Sequence, residues 1–295
     1  MQLSIHRESW NVRVPFRITG REFAEFNNVV VALRDGQFIG RGESLGIFYL
    51  NEHPKDMIET LERHRLVIEQ GLNREALQTL LPTGGARNAL DCALWDLEAK
   101  RSGGDIWHLT GVQPKTLQTV FTIGIEATPE AMAEKAKAAS QYSLLKIKLD
   151  GHQPLERMQA IRYARTDARI VVDANQGWTM EQLQELAPAF ADLGVEMIEQ
   201  PLLRGQDEAL ESYSAPLPLC ADESCLHLGE LEQASRRYQM INIKLDKTGG
   251  LTEGLELARR AREYGLGLMV GCMGGTSLAM APSFVVGCLC DLVDI

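Results

Sequence analysis

The chain has 295 residues, of which 45% are hydrophobic and 24% are charged, a composition typical of a globular protein. Its 40 acidic residues outnumber 30 basic residues that are scattered along the chain, which argues against a surface for nucleic acids or anionic membranes. The N-terminus lacks the apolar core of a secretory signal, and no stretch approaches the roughly 18 apolar residues of a membrane helix. We therefore expect a cytoplasmic protein whose partners are small molecules, and whether it forms a homo-oligomer is left open.

The first hundred residues combine strand-like and helical segments. Three strand-like segments come first, LSIHRESWNV, NVVVALRDG and FIGRGES, and Asp35 with Gly36 predicts a hairpin turn between the last two. Apolar residues then recur at helical spacing over residues 54–70, 74–81 and 86–101. These patterns predict an α+β domain over residues 1–112, with a linker near GVQPKT.

After Pro114, eight strand-like segments alternate with helical ones. The strand-like segments are TVFTIGI, LLKIKL, RIVVDAN, VEMIEQP, LPLCADES, MINIKLD, LGLMVGC and LVDI. No glycine-rich dinucleotide fingerprint follows the first of them, so the pattern favours a (β/α)8-type barrel of the α/β class over an open sheet. We predict that this barrel domain spans residues 113–295.

Polar residues stand at the carboxyl end of nearly every predicted barrel strand. The set is Lys146, Lys148, Asp173, Asn175, Glu199, Asp222, Glu223, Lys244, Asp246 and Asp294. These strand ends converge on one mouth, where the active sites of barrel enzymes are built. Residues i and i+2 of a strand share a face, which predicts three inward pairs: Lys146 with Lys148, Asp173 with Asn175, and Lys244 with Asp246. Any one of these residues alone is more often solvated or a helix cap, but the whole set indicates an active site.

Three of the acids, Asp173, Glu199 and Asp222, follow successive strands and would repel one another unless a cation lay between them. Carboxylates without nearby His or Cys suit a hard octahedral ion, which favours Mg²⁺, with Mn²⁺ as a substitute, over Zn²⁺. Candidates for residues that orient the metal ligands are Asn175, Glu223 and Asp246.

The lysines are predicted to supply acid–base chemistry. Two ammonium groups close to a cation disfavour each other's charge, which lowers a lysine pKa toward the working pH. We expect Lys148 to be a base and Lys146 its electrostatic helper. Lys244 lies on the sixth strand, across the barrel from the second, so a substrate carbon at the centre could meet a lysine on either side. This arrangement permits 1,1-proton transfer.

Six motifs extend along nearly the whole chain: ARNALDCALWDL, LLKIKLD, VVDANQGW, IEQPL, CADES and INIKLDKTGGLTE, the last being the most specific. Together they resemble the enolase superfamily, within it the muconate-lactonising subgroup, and most closely the dipeptide epimerases of the L-Ala-D/L-Glu epimerase family. The resemblance implies that the three acids bind Mg²⁺, that Lys148 and Lys244 are an opposed acid and base, and that residues 1–112 cap the barrel mouth. It also implies epimerisation of a dipeptide at the α-carbon of its C-terminal residue, through an enediolate, in murein peptide metabolism.

Four residues are candidates for substrate binding: Asp294, Thr122, Arg21 and Phe23. Glutamate-selective members of the family carry an Arg in the loop after the first strand, where this chain has Phe23, with Arg21 two positions away. The family's eighth strand carries an Asp-x-Asp pair for the dipeptide ammonium and is followed by a segment that returns to the capping domain. Here only Asp294 is present before the chain stops at Ile295, which leads us to expect weaker dipeptide binding and lower stability than in a chain with that tail.

Two other functions use the same predicted site. A cycloisomerase or an o-succinylbenzoate-type dehydratase of the same subgroup would need the same metal ligands and lysines, and a truncated, inactive barrel is a third alternative. Asp294 favours the epimerase over the first two, because their substrates carry no ammonium group.

Overall fold

In the computed structural model, the backbone is described for residues 1–295 and the side chains for all of them except residues 14–16 and 21. The chain opens with a three-stranded antiparallel sheet in the order β1–β2–β3, formed by β1 Gln2–Ile18, β2 Arg21–Asp35 and β3 Phe38–Ser44. The predicted hairpin turn joins β2 to β3, and Gly36 there has a φ of +57°, which glycine adopts readily because it has no Cβ. Both β1 and β2 extend further than the sequence pattern indicated.

Helix α4 packs directly against this sheet. The helices of this part are α1 Pro54–Arg63, α2 Arg65–Glu69, α3 Arg74–Leu80, α4 Gly85–Ser102 and α5 Ile106–Thr110. A Cβ added at Gly40 of β3 would lie 2.1 Å from the Ala93 carbonyl oxygen, so glycine is what allows the strand and helix backbones to meet. The helix predicted over residues 54–70 is instead two helices that meet at His64, and α5 was not predicted.

The second part of the chain alternates strands and helices, as predicted. The strands are β4 Phe121–Ile123, β5 Leu144–Lys148, β6 Arg169–Asp173, β7 Val195–Glu199, β8 Leu219–Ala221, β9 Met240–Lys244, β10 Gly267–Gly271 and β11 Leu292–Val293. The helices are α6 Pro129–Ala138, α7 Pro154–Ala164, α8 Met180–Asp192, α9 Leu231–Arg237, α10 Leu245–Thr248, α11 Leu251–Glu263 and α12 Ser277–Gly287.

The barrel strands of the described backbone, β4 to β11, pair in parallel with their neighbours in chain order. The amide of Val120 donates to the carbonyl of Val293 at 2.9 Å, which joins the last strand to the segment before the first. The predicted barrel is therefore confirmed, and LVDI closes it. The domain boundary at residue 112 stays a prediction.

An apolar layer fills the barrel beneath the mouth. It is one cluster of buried side chains, Val120, Leu144, Val171, Met197, Cys220, Met269 and Leu292, with Met240 packed against it. Because alternate residues of a strand share a face, the residues two positions further along, such as Lys146, Asp173 and Glu199, face the same interior. The polar strand ends therefore form a layer directly above the apolar one.

The N-terminal part hydrogen-bonds to the barrel just beyond the carboxyl ends of its strands, and its role as a cap over the mouth stays a prediction. Thr19, in the turn between β1 and β2, donates through Oγ1 to the carbonyl of Ala174, just beyond β6. Beyond β10, the amide of Thr276 donates to Oε1 of Glu43 in β3 at 2.9 Å. Among the helices described, none combines the length and apolar character needed to cross a membrane.

Candidate active site

Lys146 lies at the centre of a cluster of acids in the barrel mouth. Its Nζ atom is 2.9 Å from Asp173 Oδ2, 2.7 Å from Glu199 Oε2 and 2.9 Å from Asp294 Oδ2. The Lys146 side chain is fully buried, as are those of Asp173 and Glu199. The alternation of the strands thus brings acids from three different strand ends to one ammonium group.

Lys148 and Lys244 each contact one of the predicted metal ligands. Lys148 Nζ donates to Asp173 Oδ2 at 2.5 Å, and Lys244 Nζ donates to Asp222 Oδ2 at 2.6 Å. Lys148 ends β5 and Lys244 ends β9, the second and the sixth of the eight barrel strands, so they approach the centre from opposite walls.

Two further residues of the site were missed by the sequence analysis. Lys247 is fully buried, and its Nζ atom donates to Asp222 Oδ1 at 2.7 Å and to the carbonyls of Asp222 and Asn242. Asn242 Nδ2 donates to Glu199 Oε1 at 2.7 Å. The available signal for both was the motif INIKLDKTGGLTE, in which Asn242 shares the inward face of β9 with Lys244.

The charges of the cluster shift one another's pKa values. Burial alone would raise the pKa of Asp173, but Lys146 and Lys148 outweigh it and hold that pKa well below its usual range. For Lys244, burial acts to lower the pKa, but the negative charges of Asp222 and Glu199 outweigh it and raise the pKa. The sequence argument expected a lowered lysine pKa because it weighed the lysines and a cation without the acids that each ammonium contacts. The lowering stays a prediction for the site with a cation bound.

The buried oxygens of the mouth fit a hard cation by their chemistry. Asn175 Oδ1 and Glu223 Oε2 are buried and make no hydrogen bond to any described residue, and the Asn175 amide donates to Asp173 Oδ1 at 2.9 Å. Burial, followed by the charges of Asp222 and Asp173, raises the pKa of Glu223 to about 8. Among the described residues, no group of three His, Cys, Asp or Glu side chains is close enough together to hold a metal ion. Lysine ammonium groups lie between the acids of the mouth instead. A cation bound there would have to displace those ammonium groups from the carboxylates.

Asp246 does not share an inward strand face with Lys244, contrary to the sequence prediction, and its role in orienting a metal ligand stays a prediction. Its Oδ1 atom accepts hydrogen bonds from Ser44 Oγ at 2.5 Å and from the amides of Leu45 and Gly46 at 3.0 Å each. The error has a structural cause: β9 ends at Lys244 and α10 begins at Leu245, so the i, i+2 rule for strands does not apply. Asp246 instead fastens the end of β3 to the barrel.

The candidate substrate-binding residues occupy different places. Asp294 points into the mouth, where it accepts a hydrogen bond from Lys146, and Thr122 Oγ1 donates to its Oδ1 at 3.3 Å. Phe23 is buried in an aromatic cluster, with its ring centroid 5.6 Å from that of Phe26 and 5.0 Å from that of Phe48. The Arg21 side chain lies outside the described residues.

Residues 1–111 match the model of the mandelate racemase / muconate lactonizing enzyme N-terminal domain, and residues 130–293 match the enolase C-terminal domain-like model. The chain belongs to the enolase superfamily. Among superfamily members, an L-Ala-D/L-Glu epimerase of Escherichia coli K12 is 45% identical over 95% of this chain and 88% of its own. An N-acetyl-D-glutamate racemase of a Pseudoalteromonas species is 40% identical over 90% of this chain and 85% of its own.

Solved structures of the superfamily agree with the fold along almost the entire chain. An enolase family member from Agrobacterium tumefaciens with homology to dipeptide epimerases, bound to sodium and L-Ala-L-Glu, has a TM-score of 0.96 and 38% identity over 99% of this chain and 90% of its own. A dipeptide epimerase from Enterococcus faecalis V583, complexed with Mg and L-Leu-L-Tyr, has a TM-score of 0.92 and 27% identity over 99% of this chain and 89% of its own. The similarity to epimerases and racemases places this superfamily member among the isomerases.

Proposed function

We propose that this protein epimerises a dipeptide at the α-carbon of its C-terminal residue by two-base 1,1-proton transfer. The observation that carries the proposal is the position of Lys148 and Lys244 on opposite walls of the barrel. A substrate carbon between them has one amine on each face, so one lysine removes the α-proton and the other delivers a proton to the opposite side. The configuration at that carbon is thereby inverted.

In the proposal, the acids of the mouth bind the metal ion. Asp173, Glu199 and Asp222 would hold a divalent cation, which we propose is Mg²⁺ with Mn²⁺ as a substitute, in keeping with their all-oxygen donors. When bound, such a cation stabilises the negative charge that develops on the substrate carboxylate as the α-proton leaves. Lys146 contacts two of these three acids, and we assign it to holding them in place and balancing their charge.

Asp294 favours a dipeptide over other substrates of the superfamily. Its carboxylate points into the mouth beside Thr122, where it can pair with a substrate ammonium group. Substrates of cycloisomerases and of o-succinylbenzoate-type dehydratases have no ammonium, and neither does N-acetylglutamate, the substrate class of the Pseudoalteromonas relative. We propose a cytoplasmic enzyme that acts on short peptides containing Ala and Glu, the substrates in the name of the Escherichia coli relative.

The test is isotope exchange in the two lysine variants. With L-Ala-L-Glu and L-Ala-D-Glu in D₂O with Mg²⁺, Lys148→Ala and Lys244→Ala should each abolish epimerisation but still exchange the α-proton of one epimer. The epimer that exchanges should differ between the two variants, because each keeps the base on one face only. Lys100→Ala, which alters an exposed lysine of α4, is the control and should behave as the parent.

Exchange of the same epimer by both variants would replace the two-base mechanism with a one-base mechanism. Turnover of N-acetylglutamate but of no dipeptide by the parent protein would reject the proposed substrate class.

A further inference from the structure

Gln200, directly after β7, has a backbone conformation that side chains other than glycine rarely adopt. It is fully buried and has a φ of +37°, in the left-handed region. Its amide donates to the carbonyl of Cys220 at 2.9 Å, and its carbonyl accepts from the amide of Gln176 at 2.8 Å. Backbone hydrogen bonds on both sides therefore hold Gln200 in this conformation. Residues held in such rarely populated backbone conformations are common at functional sites.

The side chain of Gln200 supports the turn that carries Asp222. Gln200 Oε1 accepts hydrogen bonds from the amides of Asp222 and Ser224 at 3.0 Å each. These amides directly follow β8, where the barrel wall ends and the Asp222 carboxylate enters the mouth. One side-chain oxygen thus replaces the neighbouring strand as the hydrogen-bond partner of this turn.

A backbone carbonyl and a buried acid together determine which way the Gln200 side-chain amide faces, and Nε2 donates to the carbonyl of Leu202 at 2.8 Å. Asp207 Oδ2 accepts from Ser224 Oγ at 2.6 Å and from Tyr238 Oη at 2.7 Å, so both hydroxyl protons point toward it. The two hydroxyl oxygens can then only accept, and Gln200 Nε2 lies 2.9 Å from Ser224 Oγ and 3.1 Å from Tyr238 Oη. Rotating the amide by 180° would set Oε1 against these oxygens and Nε2 against two backbone N–H groups.

Tyr238 remains a neutral donor in this network. Burial, followed by the charge of Asp207, raises the pKa of the Tyr238 hydroxyl far above its usual value. Arg237 Nη1 donates to Asp207 Oδ1 at 2.6 Å, which leaves Oδ2 for the two hydroxyls. A chain of hydrogen bonds therefore runs from Arg237 through Asp207, the two hydroxyls and the Gln200 side chain to the backbone amide of Asp222. In each of them the donor and the acceptor are defined.

We propose that Gln200, oriented by the Leu202 carbonyl and by Asp207 through Ser224 and Tyr238, is a positioning residue that holds the turn from which Asp222 would bind the metal. The inference rests on the proposed function, in which Asp222 is a metal ligand, and it assigns no contact between Gln200 and the substrate. Residues that orient metal ligands typically change metal affinity or activity by 10- to 100-fold when they are replaced.

The test compares Gln200→Met, which has a similar length but no amide, with Tyr238→Phe, which removes one hydroxyl from the network. Mg²⁺ alone is titrated into the full-length proteins by calorimetry. Hydrogen exchange of a peptide spanning residues 219–226 is measured in metal-free protein. We expect Gln200→Met to weaken Mg²⁺ binding by about 10- to 100-fold and to speed exchange in that peptide, and Tyr238→Phe to do both to a smaller extent.

Ile161→Ala is the control for a general loss of stability, because Ile161 is a fully buried residue of α7 that is not part of this network. Ile161→Ala should lower the melting temperature, but its Mg²⁺ affinity and its hydrogen exchange in the peptide of residues 219–226 should equal those of the parent. Parent-like Mg²⁺ affinity in Gln200→Met, or equal effects in Gln200→Met and Ile161→Ala, would overturn the positioning role. Failure of the parent protein to bind Mg²⁺ would overturn the proposed function, and unchanged exchange in Gln200→Met would by itself overturn the support of the turn.

Discussion

Replacing Lys146 by Met should destabilise the protein strongly at neutral and alkaline pH. The Nζ atom lies 2.7 to 2.9 Å from three carboxylates. At an effective dielectric constant of about 20, Coulomb's law gives about 6 kcal/mol of attraction for each contact at this distance. Most of that attraction only offsets the loss of solvation of the buried ions, and removing one partner of a buried pair costs about 3–5 kcal/mol. We expect the upper end of that range, because three acids lose the same cation.

The pH dependence tests the electrostatic origin of the effect. In the parent, Lys146 holds the pKa values of Asp173 and Asp294 below their usual range against the effect of burial, so their contribution to stability is present above the unfolded pKa and is lost as the pH falls. In Lys146→Met the same acids are buried with one cation fewer, so their pKa values should rise and protonation should favour the folded state. The difference in unfolding free energy between parent and variant should therefore shrink as the pH is lowered from 8 to 5.

Urea unfolding in EDTA at pH 8 and at pH 5 measures this difference. Lys100→Met is the matched control, because Lys100 pairs with Asp96 at a similar distance of 2.7 Å but is 41% exposed, and an exposed pair contributes less than about 1 kcal/mol. The reasoning would be refuted by equal urea midpoints for Lys146→Met and the parent at pH 8, or by a difference that does not change with pH.

Three more outcomes are expected. Asp294→Asn should raise the KM for L-Ala-L-Glu much more than it lowers kcat, as steady-state kinetics would show, because it removes a charge that binds the substrate ammonium throughout the reaction; a lower kcat at unchanged KM would argue against that role. Burial raises the pKa of Asp91 to about 6, so its contribution to stability is present below pH 4 and is lost as the pH rises through 6. In Asp91→Asn the side chain does not titrate, so the unfolding free energy of the variant should rise by up to about 3 kcal/mol relative to that of the parent between pH 4 and 7. Urea unfolding measures this difference, and parallel pH profiles of the two proteins would contradict the raised pKa. EDTA treatment followed by desalting should abolish turnover until Mg²⁺ is added back, whereas full turnover in metal-free buffer would exclude the metal role.

Much of the site could be predicted because strand ends are local features of the sequence. Asp173, Glu199 and Lys244 each end a strand of five residues, and a parallel barrel brings all such ends to one mouth. The position of Asp246 could not be predicted in this way. The chain changes from strand to helix after Lys244, so the Asp246 carboxylate contacts Ser44, about 200 residues earlier in the chain. Lys247 was missed because, although it belongs to the motif INIKLDKTGGLTE, its periodicity does not separate a buried lysine from a solvated one.

The sequence alone determined the order of the elements, the barrel and the set of charged strand ends, because each depends on periodicity within a few residues. The tertiary structure decided which charge meets which: Lys146 with acids from three other strand ends, Lys247 with Asp222, and Gln200 with the turn after β8. These partners lie tens to more than a hundred residues apart along the chain, so folding alone brings them together. Most buried polar atoms then hydrogen-bond with whichever donor or acceptor the packing has placed within reach, because leaving them unpaired costs free energy.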